Sequence, residues 1–209
     1  MSAHAEASPV SVERLLPPEE AARADFYALL AGLLLAPPSS GLLASLASAG
    51  TIDGDPDLAR AWRGLVDASS VMDADAAAIE FEELFAGVGK SAVSVYAGYY
   101  LGAPAIDHPR VRLQASLAEL GLARVPGVSE PEDHLGSLFE VMRVLVAGAP
   151  GRKPASLAEQ KRFYQAYVER SAVGVFGALA AAPQANYYRH AAAVGAAFMA
   201  LESQSFLLA

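Results

Sequence analysis

One compositional bias constrains this chain more than any other. It holds 45 alanines and 26 leucines against three isoleucines and one threonine. Alanine and leucine lose least on entering a helix, whereas β-branched side chains favour strands. The 17 valines are scattered, and no run alternates apolar and polar residues for long. An all-α fold is therefore predicted, with about 8–10 helices of ordinary length. The 209 residues suit one helical domain with a core large enough to fold unaided.

Local punctuation divides the chain. Residues 1–16 read as a flexible arm and 17–209 as the helical domain. Pro17-Pro18-Glu19-Glu20 places proline and acids where a helix begins, and Pro37 ends that helix. Further helices are expected at 39–48, 56–70, 73–86, 107–121, 156–181 and from Pro183 to Phe206. Ser129 and Glu132 fit a capping box, so another helix is expected from about residue 130 to Ala147. Leu135, Leu138, Phe139, Met142, Leu145 and Val146 form its inner stripe. Residues 87–106 read as an ordered loop with a short helix, and 121–128 as a hinge.

Charge narrows the partners. Net charge is -8, from 15 basic and 23 acidic residues. Such a chain repels nucleic acid and anionic lipid and attracts basic peptides. The longest uncharged stretch, 26–52, is cut by Pro37-Pro38. Its apolar part is about half of the roughly 20 residues a membrane span needs, so stable insertion is not expected. The N-terminus lacks a basic start before an apolar core, and it lacks an Arg-Arg pair. No export signal is read there, and the cytoplasm is the expected location.

Most catalytic chemistry lacks its residues. There is no cysteine, and the four histidines are dispersed. Glu-x-x-His and His-Glu-x-x-His are absent, as are Walker A, Gly-x-Gly-x-x-Gly and Gly-x-Ser-x-Gly sequences. No cofactor, metal or catalytic residue is expected. Two clusters stand out. Glu130-Pro131-Glu132-Asp133-His134 is either a helix start or a charge-recognition segment; the acids suit a helix N-terminus, but a cationic histidine does not. Phe81, Leu84 and Phe85 are either core or the floor of an apolar groove beside the loop that carries Tyr96, Tyr99 and Tyr100.

In order, the chain reads Glu80-Phe81-Glu82-Glu83-Leu84-Phe85-Ala86-Gly87, Ser94-Val95-Tyr96, Glu130-Pro131-Glu132-Asp133-His134-Leu135, Gln160-x-x-Phe163 and Tyr187-Tyr188-Arg189. This series resembles the TorD/DmsD/NarJ family of redox-enzyme maturation chaperones over roughly 20–206. The resemblance implies an all-helical, non-catalytic protein that binds an immature molybdopterin-containing oxidoreductase in the cytoplasm. The client's catalytic subunit would be of formate dehydrogenase, S-/N-oxide reductase or nitrate reductase type. Its twin-arginine leader would be gripped until cofactor insertion is complete. By motif, the implied contacts are Phe81, Leu84, Phe85, Gly87, Ser94, Tyr96, Glu130, Pro131, Asp133 and His134. Where the family usually carries a Trp after a His-Leu pair, this chain reads Tyr167-Val168 with no Trp following. A structural helical subunit of a redox complex is the alternative reading. Both a monomer and a dimer that swaps C-terminal helices about the hinge fit the sequence.

Overall fold

The structure, a computed structural model, describes residues 16–86, 91–102, 109–123 and 131–208. Its helices are α1 (Pro18–Leu35), α2 (Ser40–Ala47), α3 (Pro56–Val71), α4 (Ala74–Phe81), α5 (Ala97–Leu101), α6 (Pro109–Glu119), α7 (Leu135–Ala147), α8 (Leu157–Phe163), α9 (Glu169–Ala181) and α10 (Tyr187–Leu208). A π-helical segment, Glu82–Ala86, prolongs α4, and another, Tyr164–Val168, joins α8 to α9. Among the described residues no strand extends beyond isolated bridge pairs. The fold is all-α, as the composition predicts.

Four helices start at a Ser or Asp cap. Ser39, Asp55 and Asp73 accept from the first-turn amides of α2, α3 and α4. Ser156 and Glu159 form a reciprocal capping box at α8. Two starts differ from expectation. Helix α7 begins at Leu135 rather than near residue 130, because the Asp133 carbonyl and the Leu135 amide, on either side of His134, are taken by the bridge to the Tyr96 segment, and Glu132 lies in a turn. Helix α10 begins at Tyr187 rather than at Pro183. Its first amides are held by a carboxylate from α4, described below. The N-terminal arm and most of the expected hinge lie outside the described residues.

Three helix pairings organise the core. Helix α7 lies along α1, and α10 lies against α9 and α3. All six residues of the α7 stripe are buried. Gly136 lets α7 and α1 approach, since a Cβ there would sit 2.7 Å from Leu35 Cγ and 3.2 Å from the Ala31 carbonyl. Helix α10 is long and apolar enough to cross a membrane by length and composition alone, yet its inner face, including Tyr187, Ala191, Val194 and Phe198, is buried by its neighbours. At its far end Glu202 is 2% exposed. It accepts from Arg23 Nε at 2.7 Å and from the Tyr27 hydroxyl at 2.7 Å, tying α10 to α1. Burial opposes the charge on Arg23, but the Glu202 and Glu20 carboxylates outweigh it and hold the guanidinium above its ordinary value.

Candidate functional site

Two distant stretches meet at a short antiparallel bridge. The Ala97 amide donates to the Asp133 carbonyl at 2.8 Å, and the Leu135 amide donates to the Val95 carbonyl at 2.8 Å. Tyr96 and His134 are thereby paired, and their rings meet edge to face at 5.7 Å. The first stretch is anchored further back, where the Val93 amide donates to the Leu84 carbonyl at 3.0 Å. Its other flank is fixed by the Tyr100 hydroxyl, which donates to the Ser94 carbonyl at 2.8 Å. Backbone bonds therefore tie the stretch 93–97, which carries Ser94 and Tyr96, to Leu84 on one side and to Asp133 and Leu135, on either side of His134, on the other.

His134 resolves the tension in the sequence. It is buried and caps α7, its Nδ1 accepting from the Gly136 amide at 3.1 Å. A nitrogen that accepts carries no proton, so the cap is a neutral ring rather than a cation at a helix N-terminus. The same bond bears on chemistry. A carboxylate that orients a catalytic imidazole accepts a hydrogen bond from its Nδ1–H, and here Nδ1 faces a backbone amide instead. Asp133 and His134 adjoin in sequence without forming such a pair through Nδ1.

Asp133 is half-buried. Its Oδ2 lies 3.3 Å from where a Cβ on Gly98 would stand, so the carboxylate rests against bare backbone of α5. Glu132 meets Arg110 of α6 at 3.3 Å. Pro131 is half-buried, and its carbonyl accepts from the His134 amide at 3.1 Å. Beside this segment Tyr96 is 42% exposed. Gly87 and Glu130 lie outside the described residues.

The aromatic cluster divides between core and surface. Leu84 is fully enclosed and presents no surface to a partner in this arrangement. Phe81 and Phe85 are half-buried, meet edge to face at 5.0 Å and both contact Tyr188 of α10, at 6.0 and 5.2 Å. Glu80, the preceding residue, is 7% exposed. Its carboxylate accepts from the amides of Asn186, Tyr187 and Tyr188 at 2.8, 3.0 and 2.8 Å. An internal anion thus satisfies the N-terminus of the central helix and fixes where Phe81 and Phe85 sit.

Sequence reasoning assigned no role to Glu80 or Gly98. Glu80 carried a faint signal, as an acid on the inner face between Ala77 and Leu84. Gly98 carried none, because its use depends on Asp133 from elsewhere in the chain. Among the described residues no group of His, Asp and Glu gathers to hold a metal ion.

A family model described as nitrate reductase delta subunit matches residues 53–170, which include both clusters. No curated protein matches the chain.

Proposed function

Because this chain belongs to the nitrate reductase delta subunit family, a family of molybdoenzyme maturation chaperones, we propose that it is a cytoplasmic, non-catalytic chaperone for a molybdoenzyme catalytic subunit and its twin-arginine leader. The observation that carries this reading is the Tyr96–His134 bridge. It holds the half-buried Asp133 carboxylate against Gly98, in the segment that pairs with the partly exposed Tyr96. A fixed, partly exposed carboxylate suits a guanidinium, which it holds by charge-assisted hydrogen bonds. Phe81 and Phe85 supply partly exposed apolar surface for the leader's apolar core, at roughly 25 cal/mol per Å² before ordering losses. Holding the leader would hide it from export machinery while the cofactor is inserted, and the chaperone itself would bind no cofactor.

Calorimetric titration with several twin-arginine leader peptides, each beside an Arg-Arg→Ala-Ala control, tests this. One peptide should bind in the micromolar range and weaken in its control. Asp133→Asn should lower that affinity by about 1–3 kcal/mol, as expected for a lost charge-assisted bond, with the thermal midpoint unchanged. Wild-type affinity in Asp133→Asn removes this carboxylate from the site.

A further inference from the structure

The acids of this chain are unevenly placed. Residues 52–86 hold nine acidic residues and two arginines, whereas 110–209 hold eight acidic and ten basic residues. Within the first segment, α4 and its π-helical extension contain no lysine or arginine. Their inner face is Ala77, Glu80 and Leu84, all buried. Their outer face runs through Asp75, Ile79, Glu82 and Glu83 at helical spacing, and all four are exposed. Ile79 is 62% exposed at its centre. A bulky β-branched residue held in water, with carboxylates four residues before it and three and four after it, leaves this face without a partner among the described residues.

Three acids in other helices are answered within the same helix. Glu20, Asp57 and Glu140 each pair with an arginine three residues on, at 2.8 Å. No such arginine follows Asp75, Glu82 or Glu83. The backbone is also unusual there, because the π turn Glu82–Ala86 is of a rare kind that concentrates at functional positions. The half-buried Phe81 and Phe85 belong to this same continuous helical segment.

We propose that the outer face of α4 is a second docking surface, and that its occupant is a basic, apolar-centred segment of the client. The basic side chains face Asp75, Glu82 and Glu83, and an apolar side chain covers Ile79. The proposal rests on the leader-binding reading and deepens it: Asp133 takes an arginine of the leader, and the α4 face takes further basic side chains of the same client segment. Charge complementarity selects this occupant. An acidic or purely apolar segment would leave three carboxylates facing like charge or desolvated without a cation.

The test uses the full chain and twin-arginine leader peptides, titrated at two salt concentrations. Two variants are compared with wild type: the triple Asp75→Asn, Glu82→Gln, Glu83→Gln, and the single Ile79→Ser. All four positions are exposed, so helix content and thermal midpoint should hold, and circular dichroism checks this. The triple variant should bind about tenfold more weakly and lose much of the salt dependence, since exposed ion pairs contribute modestly and are screened. Ile79→Ser should weaken binding about threefold at either salt concentration. Wild-type affinity and salt dependence in the triple variant overturn the α4 surface and leave leader binding standing. A wild type that binds no peptide overturns leader binding and this inference together.

Discussion

Gly98 gives the sharpest separation between folding and binding at a single position. Replacing it with alanine adds a Cβ 3.3 Å from Asp133 Oδ2, tighter than ordinary contact. The same change favours helix in α5 by up to about 1 kcal/mol. Gly98→Ala is therefore expected to keep or raise the thermal midpoint while weakening leader binding severalfold, because the carboxylate must move. Paired melts and titrations would read both. Nothing in the sequence marks this glycine, since its neighbour comes from 35 residues away. His134 was legible in part. Its conflict with a helix N-terminus was visible, but its resolution needs the bridge to Tyr96, and bridges between distant segments leave no local trace.

At the scale of elements, the sequence carried what local chemistry decides. Caps at Ser39, Asp55, Asp73 and Ser156 and the apolar stripe of α7 all stand where side-chain type and spacing put them. The two displaced starts are those where a tertiary contact replaces a local one: the Tyr96 bridge before α7 and Glu80 before α10. Glu80 makes a direct test of this. Glu80→Ala leaves three amides at the head of α10 without their acceptor and should cost about 3 kcal/mol in chemical denaturation. Glu80→Gln keeps one acceptor oxygen and should cost less. Equal stability of all three proteins would mean that water or the chain closes the gap. The π turns at Glu82–Ala86 and Tyr164–Val168 were not legible, because neither segment holds a glycine or proline to mark a departure from an ordinary helix.

For the molecule as a whole, the buried tyrosines set a limit at alkaline pH. Burial, with help from Glu202, pushes the Tyr27 hydroxyl well above its ordinary range. Burial likewise raises Tyr164 and Tyr188. The unfolded chain releases these protons near pH 10, while the folded chain keeps them. Above that point the folded state binds more protons, so stability should fall as pH rises, whereas tyrosine should contribute no such slope below about pH 9. Thermal midpoints measured across this range would show it, and a flat profile above pH 10 would contradict it. The class of fold and the family were readable because both rest on features spread along the chain: alanine and leucine content for the one, ordered motifs for the other. The arrangement of the two clusters was not, since it depends on α10 passing behind α4. That passage gives the Glu80 contact a mechanical meaning. A partner pulling on Phe81 or Phe85 pulls on a segment bolted to the head of the central helix. The load is therefore passed to the middle of the protein instead of being absorbed by a slack loop at its surface.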